Sequence, residues 1–127
     1  LNNEPPIVYG DGMQSRDYMY VTDAADAYAK LGVADDVIGE VINIGTGIEL
    51  TIADLAQKII DLMGVNMKPS FSGKISSGEA GRLFTDPTNC MKKLDWKPEI
   101  GLEDGLKNTI DYFTKNKNLY KDLDFVI

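Results

Sequence analysis

The first third of this chain alternates between short apolar runs, a glycine turn and an alanine-rich stretch. β-Branched and aromatic residues predict strands at residues 7–9 and 18–21, with the glycine turn 10–12 between them. The alanine-rich stretch that follows predicts a helix over residues 24–34, with Asp23 as the capping residue. The pattern therefore indicates two strands that lead into a helix.

A second unit of strand, turn and helix follows. The nearly continuous apolar run at residues 40–45 is typical of a strand covered on both faces, as in a parallel sheet. Thr51 is a good N-cap, and apolar residues then recur at helical spacing from Ile52 until Gly64 ends the helix. This arrangement predicts a mixed α/β fold with a βαβ-type unit.

The middle of the chain contains two weaker strand patterns. Residues 68–71 and 82–85 each predict a short strand. Between them, residues 72–81 are rich in glycine and serine, which predicts a mobile loop that faces a ligand.

Two helices complete the pattern. Asp86 followed by Pro87 predicts a helix start, with the carboxylate as cap and the proline at the first helical position, and this helix ends near Leu94. A final helix is predicted after Gly101, and the tail from Asn118 has no clear pattern. The predicted buried stripe of the final helix consists of Leu102, Leu106, Ile110 and Phe113.

Length and composition narrow the class of protein. The 127 residues suit one domain, and no apolar run reaches the length that crosses a membrane. The net charge of −7 makes nucleic acid and anionic membranes poor partners. Cys90 is the single cysteine and histidine is absent, which argues against a disulfide or a zinc site and favours a cytoplasmic location. Because the chain starts at Leu1 rather than methionine, we expect it to begin inside a longer protein.

Arg16 and Asp17 are the first candidate site residues. An arginine at the mouth of a strand is a good bidentate partner for phosphate oxygens, and Asp17 would orient it or brace the turn. The alternative is a surface ion pair worth about 1 kcal/mol or less. Spacing alone favours that alternative, because charged turn residues are common.

Glu79 and Arg82 form the second candidate pair. Glu79 could accept hydrogen bonds from sugar or ribose hydroxyls, and Arg82 could add a second positive contact. The alternative interpretation is a polar loop that precedes the helix cap at Asp86.

The turn from Gly45 to Gly47 is the third candidate, because turns from strand to helix are frequent ligand positions. It lacks the third glycine of a dinucleotide fingerprint, since that position holds Leu50. We interpret it as a tight turn beside a substrate pocket, with Thr51 near a bound nucleotide.

Proton-transfer chemistry is missing from the sequence. None of the six tyrosines has a lysine four residues later, and the absence of histidine excludes nucleophilic catalysis that depends on a histidine base. The chain therefore supplies no catalytic tyrosine–lysine pair.

Three blocks, in order, resemble the extended short-chain dehydrogenase/reductase family of nucleotide-sugar epimerases and dehydratases. They cover nearly the whole chain, and they lie at residues 7–21 (with Gly-Asp-Gly and Arg-Asp-Tyr-Met-Tyr-Val), 39–47 (Gly-Glu-Val-Ile-Asn-Ile-Gly-Thr-Gly) and 78–106. The resemblance implies that residues 1–127 are the carboxy-terminal substrate-binding portion. The lobe would carry an edge strand (residues 41–44) and a helix of a Rossmann-type sheet. The NAD-binding half, with the catalytic serine or threonine, tyrosine and lysine, would lie outside these residues.

The same resemblance implies the chemistry of the parent protein. NAD would oxidise the sugar at its 4-position; an epimerase then returns the hydride to the opposite face, whereas a dehydratase first eliminates water. Backbone at Val8 and Tyr9 would face the base and Arg16 the diphosphate. Thr51 would lie near the nucleotide, and Glu79 would touch the ribose or phosphate side.

One position departs from the family pattern. Many relatives have an arginine three residues before the Glu79 position, where this chain has Ser76. Either Arg82 or Lys74 would replace that charge, or the protein binds its diphosphate with one arginine fewer.

These arguments predict part of a UDP-glucose 4-epimerase-like enzyme that binds a nucleotide-diphosphate sugar and is inactive as an isolated fragment, with no cofactor of its own. The alternatives are a 4,6-dehydratase fragment, a non-catalytic nucleotide-sugar binding module, and a structural domain. We expect the parent to be a homodimer. The fragment is expected to self-associate, because a severed fold exposes apolar surface.

Overall fold

A computed structural model describes residues 4–73 and 78–120. Its strands are β1 (Ile7–Val8), β2 (Ser15–Asp17), β3 (Glu49–Thr51), β4 (Ser70–Phe71) and β5 (Arg82–Leu83). Its helices are α1 (Val21–Val33), α2 (Ile52–Met63), α3 (Thr88–Leu94) and α4 (Leu102–Lys115), with short 3-10 helices at Asp35–Val37 and Lys117–Tyr120. The predicted mixed α/β class is confirmed.

The strands form two small sheets. In the three-stranded sheet, β2 lies in the centre, antiparallel to β3 and parallel to β5. Ser15 is in register with Arg82, and Arg16 is in register with Leu50 and Leu83. Because successive side chains of a strand point to opposite faces, Arg16 projects from one face of this sheet and Ser15 and Arg82 from the other. β1 and β4 form a separate parallel pair.

The core lies between α1 and α3. Its buried members are Ala27, Val37, Cys90, Leu94 and Trp96. Ala27 and Cys90 are fully buried, so the small residues of α1 allow α3 to approach closely. Within the described ranges, no helix combines the length and the apolar character needed to cross a bilayer.

Several sequence predictions are confirmed. Thr51 is the N-cap of α2, and its side chain accepts a hydrogen bond from the backbone N of Asp54 at 3.0 Å. Gly64 ends the helix in the left-handed conformation, with φ of 64°. α4 begins after Gly101 as predicted. β1, β4 and β5 each occupy part of a predicted strand.

The strand predicted at residues 18–21 is wrong. The strand is Ser15–Asp17, and helix α1 already begins at Val21. The ladder partners decide this, because β3 and β5 pair with residues 15–17 and not with the aromatic residues that follow. Asp23 is not the cap; it is buried in the first turn of α1, where its Oδ2 accepts a hydrogen bond from the backbone N of Ile100 at 2.9 Å.

The strand predicted at residues 41–44 is also not formed in this structure. Val41 is 87% exposed, and within the described ranges no strand pairs with this segment. An apolar run of this type forms a strand only where it pairs with a neighbouring strand and both of its faces are covered.

Two smaller differences concern local boundaries. Helix α3 begins at Thr88 with Pro87 as N-cap, so Pro87 is not the first helical residue. Asp86, the residue before the N-cap, still satisfies a backbone donor of the first helical turn. Its carboxylate accepts hydrogen bonds from the backbone N (3.0 Å) and hydroxyl (2.6 Å) of Thr88. The sequence reasoning missed β3 entirely.

Candidate functional site

Arg16 lies at the edge where β2 meets the segment that leads into β5. Its Nη1 donates hydrogen bonds to the carbonyl oxygens of Ser15 (2.7 Å) and Ala80 (2.9 Å), and its Nη2 donates to Oε1 of Glu79 at 3.0 Å. The two charged side chains are about three-quarters buried, at 23% and 28% exposed. Arg16 therefore does not point into open water.

The parallel pairing of β2 with β5 brings Arg16 and Glu79 together, although they are 63 residues apart in sequence. The backbone N of Ser15 donates to the carbonyl oxygen of Gly81 at 2.9 Å and extends this pairing toward Glu79. The contact unites two residues that the sequence analysis chose separately.

Asp17 braces the Gly45–Gly47 turn, which lies far from it in sequence. Its carboxylate accepts hydrogen bonds from the backbone N of Thr46 (3.0 and 3.1 Å), from the Thr46 hydroxyl, and from the backbone N of Gly47 (3.0 Å). Gly45 is packed so tightly that an added Cβ would lie 2.5 Å from Thr85 Oγ1 and 2.6 Å from Asp17 Oδ2. Two glycines and one carboxylate thus fix this turn.

A cavity of about 200 Å³ opens beside the braced turn. It is lined by Thr46, by Leu50, which is the register partner of Arg16, and by Tyr18. Partial burial raises the pKa of the Tyr18 hydroxyl, and the nearby Arg16 charge opposes that rise. The braced turn therefore borders a concave surface.

On the opposite face of the sheet, Arg82 and Glu49 form a two-point ion pair. Arg82 Nε lies 2.7 Å from Glu49 Oε1, and Arg82 Nη2 lies 2.6 Å from Oε2. The Ser15 hydroxyl donates to the same carboxylate. Hydrogen bonds from Arg82, and then from Ser15, lower the pKa of Glu49 to about 2. We call this arrangement the Glu49–Arg82 bridge.

The bridge separates Arg82 from Arg16. The Arg82 guanidinium also lies over the Phe84 ring, 5.2 Å from its centroid. In this conformation the two arginines do not converge on one point. Sequence reasoning missed Glu49 because nothing in its local sequence identifies the residue across the sheet with which it pairs.

The other predicted site residues have hydrogen-bond partners of their own. The Thr51 hydroxyl donates to Asp54 Oδ2 at 2.7 Å in addition to capping α2. The carbonyl oxygen of Val8 accepts from the backbone N of Ser72 at 2.9 Å, and that of Tyr9 accepts from Gln14 Nε2 at 3.1 Å. The Val8 side chain is 3% exposed, whereas Tyr9 is 41% exposed. None of these three residues contacts Arg16 through these hydrogen bonds.

Lys74 is one of the two expected substitutes for the missing arginine, and Ser76 is the position that lacks it. Both positions lie outside the described residues.

Comparison with known proteins gives a consistent result. The sequence model of the GDP-mannose 4,6 dehydratase family matches residues 1–109. UDP-glucose 4-epimerase of Mycolicibacterium smegmatis is 32% identical over 111 residues, which are 87% of this chain and 34% of that protein.

Solved structures agree with the sequence comparison. The crystal structure of UDP-glucose 4-epimerase from Thermotoga maritima with UDP-glucose has a TM-score of 0.83 at 34% identity, over 90% of this chain and 36% of that one. dTDP-glucose 4,6-dehydratase from Bacillus anthracis, in complex with NAD, has a TM-score of 0.79 at 28% identity, over 91% of this chain and 36% of that one. The chain therefore spans about a third of the length of these relatives.

The blocks found in the sequence, the mixed α/β lobe and the extent of the family match all indicate one relationship. The chain belongs to the GDP-mannose 4,6 dehydratase family, within the extended short-chain dehydrogenase/reductase group of nucleotide-sugar epimerases and dehydratases.

Proposed function

We propose that this chain binds the diphosphate of a nucleotide-diphosphate sugar through Arg16, with Glu79 beside it. The observation that carries the proposal is the contact between these two side chains, 3.0 Å apart at the edge of the β2–β5 pair. Three of the five N–H donors of the guanidinium are used in the described contacts, which leaves donors for an anion at the same edge. The UDP-glucose bound by the Thermotoga relative supports this ligand class.

The paired state gives Glu79 a defined part in binding. A diphosphate that approaches Arg16 meets the Glu79 carboxylate, and two anions at one guanidinium repel each other. We propose that the phosphate replaces Glu79 on Arg16. The released carboxylate then accepts hydrogen bonds from ribose or sugar hydroxyls.

Calorimetric titration with UDP tests the phosphate contact. Arg16→Ala should weaken binding by roughly 10- to 150-fold, the equivalent of a charge-assisted hydrogen bond worth about 1.5–3 kcal/mol. Lys30→Ala is the matched control, because it removes one exposed positive charge on α1 that pairs only with Asp26 among the described residues. Equal losses in the two variants, or an absence of UDP binding by the unmodified chain, would contradict the proposal.

The remaining site residues are part of the same proposal. Backbone at Val8 and Tyr9 would lie near the base, and Thr51 near the nucleotide. A phosphate contact by Arg82 would require the Glu49–Arg82 bridge to open, since both ends of the Glu49 carboxylate hold the guanidinium.

We further propose that the complete protein is an NAD-dependent sugar 4-epimerase whose dinucleotide-binding half lies outside these residues. The NAD in the Bacillus anthracis relative supports the cofactor. The chain would be cytoplasmic, and its parent a homodimer. Because no tyrosine here has a lysine four residues later, these 127 residues alone should not turn over UDP-glucose with added NAD. A measurable rate of UDP-galactose formation would overturn this statement.

A 4,6-dehydratase is the second candidate, favoured by the description of the matching family and by the Bacillus anthracis structure. Mass spectrometry of the product formed by the complete protein distinguishes the two reactions. A dehydratase product lacks the mass of one water, whereas an epimerase product is isomeric with its substrate.

A further inference from the structure

The Glu49–Arg82 bridge connects the two outer strands of the three-stranded sheet. Glu49 lies on β3 and Arg82 on β5, and both flank the central strand β2. The Ser15 hydroxyl of β2 donates to the same carboxylate, so all three strands meet at one group. Ser15 is 3% exposed, and the bridge therefore closes over a buried hydroxyl.

The bridge adjoins the partners of Arg16 along the chain. Arg82 comes two residues after Ala80 and three after Glu79. These are the two residues of this segment that accept hydrogen bonds from the Arg16 guanidinium. β5 consists of two residues, so only two residue pairs join it to β2. A two-point arginine–carboxylate pair fixes the position of β5 against the sheet, because few backbone hydrogen bonds do so.

We propose that Glu49 and Arg82 are positioning residues for the Arg16 site, because their bridge fixes β5 against β2. The fixed segment keeps the Ala80 carbonyl oxygen on the guanidinium, and it keeps Glu79 close enough to accept hydrogen bonds from the ligand's hydroxyls after phosphate has replaced its carboxylate on Arg16. This inference rests on the proposed phosphate contact of Arg16. It assigns Arg82 a structural connection across the sheet instead of a second phosphate contact.

Glu49→Gln distinguishes these two roles by the sign of its effect. If Arg82 positions the segment, loss of the carboxylate loosens β5 and weakens UDP binding by roughly three- to tenfold. If Arg82 is instead a phosphate contact, the released guanidinium is free for the ligand and UDP binds more tightly. Unchanged or tighter binding overturns the proposal. Glu103→Gln is the matched control, because it breaks an exposed ion pair with Lys107 on α4.

A charge exchange separates positioning from a general loss of stability. Arg82→Glu alone should weaken UDP binding, and the double variant Glu49→Arg with Arg82→Glu should recover at least half of the loss, because it restores an ion pair across β2. Thermal unfolding of each variant shows the folded fraction at the titration temperature. Failure of the folded double variant to recover any affinity would overturn the proposal.

A ligand-free measurement keeps the inference distinguishable from the proposed function. The ¹⁵Nε–Hε signal of Arg16, assigned with Arg16→Lys, should report a restrained side chain in the unmodified protein and faster motion in Glu49→Gln. If the unmodified chain does not bind UDP, the proposed function fails and this signal still decides the role of the bridge. An Arg16 signal that is the same in the unmodified protein, Glu49→Gln and Arg82→Glu would contradict positioning.

Discussion

At the scale of single residues, the Gly45–Gly47 turn depends on Gly45 for space and on Asp17 for hydrogen bonds. The Asp17 carboxylate accepts hydrogen bonds from the backbone N of Thr46 and of Gly47, so one side chain satisfies two amide groups of the turn. The position of Gly45 leaves no room for a methyl group, which would meet both Asp17 and Thr85. The sequence predicted a tight turn here, and its contact with Asp17 follows from the fold.

Gly45→Ala is expected to destabilise the protein by about 1–3 kcal/mol, because the new methyl group would lie 2.5–2.6 Å from Thr85 and Asp17 atoms and force them to move. Thermal or urea unfolding measures the change. Gly32→Ala is the matched control, since nothing lies within 4 Å of its added Cβ and alanine is favoured in helix α1. Gly32→Ala should be neutral or stabilising; a similar loss in both variants would refute the steric explanation.

At the scale of elements, the site depends on how short strands and one helix start are connected. β3 passes directly into α2, with Thr51 as both the last strand residue and the helix cap. The same residue faces Ser15 across the sheet. The local hydrogen bonds of Thr51 therefore connect the sheet that carries Arg16 with helix α2.

Thr51→Ala should destabilise the chain by about 1 kcal/mol, within a range of roughly 0.5–2 kcal/mol, because the backbone N of Asp54 loses its acceptor. Thr114→Ala on α4 is the control, since that hydroxyl only donates to the Ile110 carbonyl oxygen four residues earlier. Chemical denaturation monitored by circular dichroism measures both changes. Equal stability of the two variants would argue against the cap.

Acid stability tests the ionisation of Glu49. Its pKa in the folded state is lowered from 4.5 to about 2 by hydrogen bonds from Arg82 and Ser15. Because the folded pKa lies below the unfolded one, this contribution to stability is present above pH 4.5 and is lost as the pH falls from there to about 2. Glu49→Gln should therefore show a shallower loss of stability over this interval. Parallel curves for the variant and the unmodified protein would contradict the assigned pKa.

At the scale of the whole molecule, several large apolar side chains of the described residues are strongly exposed. Val33, the last residue of α1, and Ile38 are each 82% exposed, and Val41 is 87% exposed, whereas Ala27 of the same helix is fully buried. A helix with apolar residues on both faces is normally covered on both. This distribution supports the proposal that a further part of the parent protein covers α1 and the segment around Val41.

We accordingly expect the isolated chain to self-associate through this surface, as the sequence analysis predicted for a severed fold. Light scattering over a range of concentrations measures the association. Val33→Lys combined with Val41→Lys should reduce it, whereas Asn108→Lys on the exposed side of α4 adds charge elsewhere and should have less effect. A compact monomer at high concentration would contradict the expectation.

Sequence alone determined the elements whose signals are local. Thr51 and Gly64 set the ends of α2 through a side-chain cap and a left-handed glycine, and the three family blocks identified the relationship. The candidate site was also accessible in part, because Arg16, Asp17 and Glu79 each carry a charge at a turn or loop.

Tertiary structure alone decided which of these residues meet. Strand pairing places β2 at residues 15–17 instead of the predicted 18–21, and it brings Glu79 into contact with Arg16. It also places Arg82 on the sheet face opposite to Arg16. A strand is stabilised by the strand beside it, so a strand-forming run that has no partner strand within the described ranges, such as residues 41–44, stays irregular. The propensity of a segment for helix or strand depends on its own residues. Strand register, the sheet face on which a side chain lies, and ion pairing depend on residues far away in sequence.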